Sequence, residues 1–228
     1  MVALNLVNRL NKRKHASDQV SELTINRLSV YLRCLNELDA AGVQAISSHA
    51  VAEQFRLNAA QIRKDLAYFG EFGVRGVGYY VKELRRNLRQ ILGLDRHLRV
   101  VIMGAGNLGL ALADYPGFRQ EGFEIAALFD AANEKIGHES RGGVPIHDIK
   151  DLKRLARRGR LDIAVIAVPA PHAQLVVDVV VAAGIKAILN FSPGTLKVPG
   201  DVKLTSVDLT VSLEGLSFHL AQGEEPRA

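Results

Sequence analysis

The chain has 228 residues, a hydrophobic fraction of 48% and one cysteine, which suits one large or two small globular domains. A single cysteine excludes an intramolecular disulfide and a cysteine-rich zinc site, and no apolar run reaches the roughly eighteen residues of a membrane span. The net charge of +5 lies in residues 1–95, with 14 Lys and Arg against 9 Asp and Glu; residues 96–228 hold 15 of each class. We therefore expect a cytoplasmic protein without membrane attachment, in two domains, whose first either binds a polyanion or has a solvated basic surface.

The first domain is predicted over residues 18–93, after a flexible basic tail at 1–17. Thr24 is predicted to cap a helix that ends at Ala41-Gly42, because its apolar residues recur at helical spacing. Ser47 or Ser48 would cap a helix from His49 to Phe55. Asn58 would cap a third helix that runs to Phe69. Three short helices with tight turns are typical of a helix-turn-helix.

The third helix has an apolar face and a polar, partly basic face, which suits the major groove of DNA. An ordinary amphipathic helix is the alternative interpretation. The segment Phe72–Tyr79 alternates glycine with β-forming residues around Arg75, which predicts a wing that enters the minor groove; a plain loop is the alternative. The candidate DNA contacts are Ser48, Gln61, Arg63, Lys64, Tyr68 and Arg75.

The second domain is predicted over residues 94–209, after a connecting helix from Val81 to Leu92. A strand at Leu98–Met103 leads into a G-x-G-x-x-G sequence and a helix from Asn107 to Tyr115. This order predicts a dinucleotide site: the first glycine permits the turn, the second admits the pyrophosphate and the third lets helix and strand pack closely. The residues of this loop are Gly104, Ala105, Gly106, Asn107, Leu108 and Gly109.

The next strand, Phe123–Phe129, is followed by Asp130, a carboxylate placed to bind a ribose 2′-hydroxyl and to repel a 2′-phosphate. NAD is therefore favoured over NADP, although Asp130 could instead be a turn former. Further helices at Ile149–Arg157 and His172–Ala183 alternate with strands, which predicts a parallel doubly wound sheet. These strands are Asp162–Val168, Ile185–Asn190 and Val202–Thr205.

Ligands of such sheets bind beyond the carboxyl ends of the strands, so Pro169 and the segment from Asn190 to Pro193, with Phe191, are expected to wall the nicotinamide pocket. Each proline could equally be a simple strand stop. The C-terminal segment, residues 210–228, begins with an amphipathic stretch to Ala221 that must pack on its own domain or on a second subunit.

No catalytic residue and no metal site are predicted. The chain lacks a Tyr-x-x-x-Lys pair, and His172, the best candidate base, is more simply interpreted as a surface or capping residue. The second domain is expected to bind NAD⁺ or NADH without turning it over.

These motifs together resemble the Rex family of bacterial redox-sensing transcriptional repressors, from about Thr24 to Leu220. The most specific stretch joins Gln61–Gly70 to Gly73–Tyr79, and Ala111–Phe118, Leu189–Pro193 and Val207–Leu209 are also similar. The resemblance implies an α/β protein: a winged helix-turn-helix, a Rossmann-like domain and a C-terminal helix exchanged between the subunits of a homodimer.

The resemblance further implies binding of double-stranded operator DNA with a pseudo-palindromic sequence, and release when NADH replaces NAD⁺. It implies a ligand-dependent polar switch, whose matching residues are Arg33, Tyr115 and Asp208, and Tyr115 is also expected to bind the cofactor. Two departures from some members are Leu209, where those members carry an aromatic residue, and the basic extension up to about Asp18. A dehydrogenase with an N-terminal extension and a CoA- or nucleotide-binding module are the alternatives.

Overall fold

The computed structural model describes residues 20–223, which form two compact units divided between Asp95 and Arg96. The predicted tail at 1–17 and the last five residues lie outside this range. The division falls two residues after the expected end of the first domain. No helix in the described range is long and apolar enough to cross a membrane.

Residues 20–95, the described part of unit 1, form four helices and a two-stranded sheet. In chain order these are α1 (Glu22–Ala40), β1 (Ala45–Ile46), α2 (Ser48–Phe55), α3 (Ala59–Phe69), β2 (Tyr79–Tyr80) and α4 (Val81–Ile91). The helices bury one core that includes Leu28, Leu66 and Leu88, each at most 2% exposed. Cys34 lies in α1, and burial raises the pKa of its thiol, which disfavours a reactive thiolate.

The helix ends of unit 1 follow the predicted caps, with one correction. The Ser47 and Asn58 side chains accept hydrogen bonds from Ala50 and Gln61 backbone N–H groups, at 3.1 and 3.0 Å. The prediction that Thr24 caps α1 was wrong: Ser21 is the cap, and its hydroxyl accepts from the Thr24 N–H at 3.2 Å. Both residues are cap formers, and the helix simply begins one turn earlier.

Helices α1 and α3 are joined by a buried carboxylate. Asp65 is 4% exposed and accepts hydrogen bonds from Arg27 Nε at 2.6 Å and Nη2 at 2.8 Å, from Tyr31 Oη at 2.9 Å and from Gln61 Nε2 at 2.7 Å. Burial acts to raise the pKa of Asp65, but the bonds from Arg27, Gln61 and Tyr31 outweigh it, and the pKa is lowered. The ionised carboxylate is thus the form that holds the two helices together.

Unit 2 is a six-stranded parallel sheet with strand order β5-β4-β3-β6-β7-β8. The strands are β3 (Leu98–Met103), β4 (Phe123–Asp130), β5 (Ile146–Asp148), β6 (Ile163–Ile166), β7 (Ala187–Asn190) and β8 (Lys203–Ser206). The helices are α5 (Asn107–Ala113), α6 (Pro116–Gln120), α7 (Leu152–Arg158), α8 (Ala170–Ala182) and α9 (Leu209–Gly223), with a 3₁₀ turn at Ile149–Asp151. This is the strand order of a doubly wound dinucleotide-binding fold, with the topological switch point between β3 and β6.

Three sequence expectations for unit 2 need correction. The helix predicted to run through Tyr115 ends at Ala113, because Pro116 disfavours a helical conformation at the residue before it and starts α6 instead. Helix α8 begins at Ala170 rather than His172, since Pro171 is well tolerated in a first turn. The edge strand β5 was not predicted at all.

Arg27→Met should leave the Asp65 carboxylate without its cation, and we expect the free energy of unfolding to fall by roughly 2 kcal/mol at pH 7. Because the pKa of Asp65 is lowered in the fold, its stabilising effect is present at neutral pH and is lost as the pH falls below about 4, the ordinary range of an aspartate. Urea denaturation at pH 7 and in acid measures the difference. Arg86→Met, at an exposed position of α4, is the control; a deficit that does not shrink in acid would contradict this account.

Candidate functional site

The loop after β3 has the geometry that a pyrophosphate site requires. Gly104 has φ +107, and a Cβ there would lie 2.5 Å from the Ala167 carbonyl oxygen, so only glycine fits. A Cβ at Gly109 would collide with the Gly104 carbonyl oxygen, whereas one at Gly106 would meet nothing within 4 Å. The first and third glycines thus serve the fold, and the second leaves open space at the start of α5.

Asp130 ends β4 directly beside this loop. Its carboxylate accepts from the Ala105 N–H at 2.8 Å, from the Ala132 N–H at 2.9 Å and from Lys135 Nζ at 3.2 Å. Burial acts to raise the pKa of Asp130, but these donors lower it overall, so the group is an anion at neutral pH. Asp130 therefore both fixes the glycine loop and places a negative charge at the expected ribose position.

The carboxyl ends of β6 and β7 are tied together by a turn. The Asn190 side chain is fully buried and exchanges two hydrogen bonds of 2.9 Å with the Ser192 backbone, and the Ser192 hydroxyl donates to the Val168 carbonyl. Phe191 is half-buried against the core beneath the loop, while Pro169 and Pro193 are exposed. All three lie at the sheet edge where the nicotinamide wall was predicted.

The candidate DNA contacts of unit 1 lie on α3, at the start of α2 and in the wing. On α3, Arg63, Lys64 and Tyr68 are exposed, and Arg63 Nη1 donates to the Ser48 hydroxyl at 2.9 Å. The predicted wing is a tight turn closed by paired hydrogen bonds between Val74 and Gly78, of 2.7 and 2.9 Å, with Arg75 exposed in it.

The three predicted switch residues are exposed within their own units. Arg33 lies on α1, and Tyr115 caps α6 with 57% of its surface exposed. Gly117 makes room for the Tyr115 ring, because a Cβ there would lie within 2.6 Å of its Cζ atom, and the Phe118 ring packs edge-on at 5.2 Å. Asp208 precedes α9, and its carboxylate accepts from the Thr210 N–H at 2.8 Å.

Several residues of these sites were missed by sequence reasoning. The bonds from Arg27 and Tyr31 to Asp65 join residues 38 and 34 positions apart, so no local sequence pattern predicts them. Lys135 follows Asp130 by five residues, a proximity that could have suggested the pair. The Asn190–Ser192 turn has a readable signal, because asparagine two residues before a turn amide commonly bonds to it.

Two family models match separate parts of the chain. The one described as "Putative DNA-binding protein N-terminus" covers residues 19–67, and the one described as "CoA binding domain" covers residues 95–194. The two matches fall in the two structural units.

Full-length relatives decide the family. The redox-sensing transcriptional repressor Rex of Desulfitobacterium hafniense is 48% identical, over 89% of this chain and 96% of its own length. The chain belongs to the Rex family. Rex of Syntrophomonas wolfei is 51% identical with the same coverage, and Rex of Thermus thermophilus is 50% identical over 88% of this chain and 93% of its own.

Solved structures of a Rex-family repressor, RSP, share the fold. RSP in complex with β-NAD⁺ and operator DNA is 43% identical, with a TM-score of 0.85 over 89% of this chain and 93% of that one. RSP in complex with β-NADH is 41% identical, with a TM-score of 0.79 over 90% of this chain and 95% of that one. The predicted fold, a winged helix-turn-helix followed by a Rossmann-like sheet, is therefore confirmed. These Rex relatives are named as repressors, which supports the expectation that this chain is a regulator and not an enzyme.

The glycine loop generates a paired prediction. Gly106→Val should fold normally and lose NADH affinity by at least about 100-fold, because its side chain fills only the space proposed for the pyrophosphate. Gly109→Ala should instead destabilise the fold by about 1–3 kcal/mol through overpacking. Thermal melting and NADH titration separate the two effects; normal NADH affinity in folded Gly106→Val would contradict the pyrophosphate role.

Proposed function

We propose that this chain is an NAD(H)-responsive transcriptional repressor that binds a palindromic operator as a homodimer and leaves it when NADH replaces NAD⁺. The observation that carries the proposal is the union, in one chain, of a winged helix-turn-helix and a glycine loop at the switch point of a doubly wound sheet. The NAD⁺–operator and NADH complexes of RSP, whose fold this chain shares, support both ligands.

Unit 1 supplies the DNA contacts. Lys64 and Arg63 extend from the exposed face of α3 toward phosphates and base edges, while Arg75 in the wing suits the narrow, negative minor groove. Arg63 is braced by Ser48 at the start of α2, so the two act together. The exposed Tyr68 packs its ring against Phe69 at 5.1 Å and completes the surface.

Helix α9 supplies the argument for a homodimer. Leu209, Val211, Leu213, Leu216, Phe218 and Leu220 are each 60–72% exposed within the chain. A fifteen-residue helix with so many apolar groups in water is not stable alone, since most helical stability comes from packing. We infer that α9 packs on a second copy of this chain, as an exchanged helix. A dimer also matches a palindrome, whose half-sites lie about one DNA turn, roughly 34–36 Å, apart.

The ligand response follows from the charge of the nicotinamide ring. NAD⁺ carries a positive ring and NADH a neutral one, and an apolar wall around Phe191, Pro169 and Pro193 disfavours an unpaired charge. NADH is thus the better occupant, while Asp130 suits NAD(H) rather than its 2′-phosphorylated form. Because a protein that regulates transcription acts on the chromosome, we place it in the cytoplasm.

The response reaches the DNA through a change in the distance between the two copies of α3. We assign the coupling to Arg33, Tyr115 and Asp208, whose polar groups change partners as NADH binds. To shift the dimer from 1:99 to 99:1 in favour of its released state, NADH must bind that state more tightly than the DNA-binding state by about 5.5 kcal/mol. Two NADH molecules per dimer could share this difference. NADH can move the equilibrium only by its preference for one state over the other.

CoA binding is a second candidate, because the family model that matches residues 95–194 carries that name. Titrating CoA and NADH side by side distinguishes them. Binding of NADH alone supports the proposal, and binding of CoA alone contradicts it. A dehydrogenase remains the less favoured alternative, and turnover of a hydroxy or carbonyl substrate with NAD would support it.

Arg63→Ala should weaken operator binding by about tenfold and leave NADH affinity unchanged, because its guanidinium lies in unit 1, on the α3 face. Operator titration at fixed salt and NADH titration measure the two effects. Arg157→Ala, an exposed arginine of unit 2, is the control. The DNA assignment is wrong if Arg63→Ala loses NADH binding and keeps operator binding.

Asp208→Ala should retain both ligands but lose most of the NADH-driven release, since it removes one member of the switch. Gly117→Ala should also retain both ligands and lose most of the release, because its Cβ displaces the Tyr115 ring, another member of the switch. Glu124→Ala, which removes an exposed carboxylate near the start of β4, is the matched control. The readout is the ratio of operator affinities with NAD⁺ and NADH, and an unchanged ratio in Asp208→Ala would eliminate the switch assignment.

A further inference from the structure

Helix α3 carries one acidic residue, and it faces inward. Asp65 is 4% exposed and is neutralised by Arg27, at 2.6 and 2.8 Å, so the helix presents no negative charge to a phosphate backbone. The remaining acceptor capacity of Asp65 is used by Tyr31 and by the amide of Gln61. Gln61 is the only one of the six candidate DNA contacts whose side chain is held by this carboxylate.

The contact with Asp65 fixes which way the Gln61 amide faces. An ionised carboxylate only accepts hydrogen bonds, so it must meet the NH₂ group of Gln61 and not its carbonyl oxygen. The Nε2 to Oδ1 distance is 2.7 Å. Reversing the amide would set two oxygens against each other in a nearly buried site. The buried Asp65 carboxylate therefore fixes the orientation of the Gln61 amide.

What remains of the amide is one carbonyl oxygen and one N–H. Neither bonds to another side chain in the described part of the chain. Gln61 is the third residue of α3, after the cap at Asn58, and residues at the start of a recognition helix are those that reach base edges. It is half-buried, while Lys64 on the same face is exposed.

We propose that Gln61 reads an adenine in each operator half-site, and that Asp65 is the positioning residue that presents its amide edge. The proposal rests on operator binding by α3 as described above. In the major groove adenine offers the N6 amino group as donor next to the N7 acceptor, which pairs with a carbonyl oxygen and an N–H held side by side. Guanine sets its O6 acceptor against the Gln61 carbonyl, and the pyrimidines lack the adjacent pair.

The test for Gln61 uses the full chain and a duplex selected by that chain from a random library. Each adenine is replaced in turn by 7-deaza-adenine, which lacks the N7 acceptor, and affinity is measured at fixed salt with NAD⁺ present. We expect one adenine position, repeated by symmetry in the two half-sites, at which this replacement lowers the affinity of the wild type by about tenfold, within the range for a bidentate contact. Gln61→Ala should bind more weakly and lose its sensitivity at that adenine alone.

Lys64→Ala is the matched control on the same face. It should weaken binding to every duplex about equally and keep the sensitivity to 7-deaza-adenine. If Gln61→Ala retains the wild-type sensitivity at every adenine, Gln61 is not the reader, although operator binding stands. If the wild-type chain selects no duplex at all, operator binding itself fails and the inference falls with it.

The test for Asp65 measures discrimination rather than affinity. Asp65→Asn lets the Gln61 amide turn either way. The ratio of the affinities for the adenine duplex and the 7-deaza-adenine duplex should therefore fall toward one. Tyr31→Phe removes a different bond to the same carboxylate and should keep that ratio. If Asp65→Asn does not fold, Arg27→Gln combined with Asp65→Asn removes the ion pair as a unit and serves the same test. A folded variant with the full wild-type ratio would overturn the positioning role.

Discussion

The close approach of the chain between β3 and β6 is the constraint on which unit 2 depends. These strands are neighbours in the sheet, and their connections leave on opposite sides, so a crevice opens at their carboxyl ends. Gly104 turns the chain there within contact distance of the Ala167 carbonyl, and Gly109 lets α5 pack against that turn. The same two contacts that close the fold leave Gly106 facing open space. Binding a pyrophosphate is therefore a consequence of how the sheet is wound.

Unit 1 depends on a different kind of contact, a buried carboxylate. Asp65 is held ionised by Arg27, Tyr31 and Gln61, and the three donors come from two helices. These hydrogen bonds have fixed directions and add to the apolar packing between α1 and α3, so they help to set the relative positions of the two helices. The helix proposed to read DNA is thus anchored to the helix that carries Arg33.

The sequence predicted the parts of the fold that local pattern controls. Strand β3 was predicted with the bounds it has, because an apolar run and a glycine turn define it at both ends. Helix α3 was also predicted correctly, from the cap at Asn58 to its end at Phe69. Strand β5 was missed, because three residues beginning at Ile146 show no periodicity. The bonds of Arg27 and Tyr31 to Asp65 are set by tertiary packing, because these residues lie more than thirty positions apart in the sequence. The glycine loop and Asp130 could be predicted, because each comes at the end of a strand that the apolar pattern identifies.

In the proposed function, reduced cofactor bound to unit 2 controls DNA binding by unit 1. The most direct measurement is the affinity of the wild-type chain for its selected duplex, at one fixed salt concentration, across a series of NADH to NAD⁺ ratios. We expect the affinity to fall steeply as NADH replaces NAD⁺ at constant total cofactor. An affinity that stays constant from the fully oxidised to the fully reduced pool would contradict it.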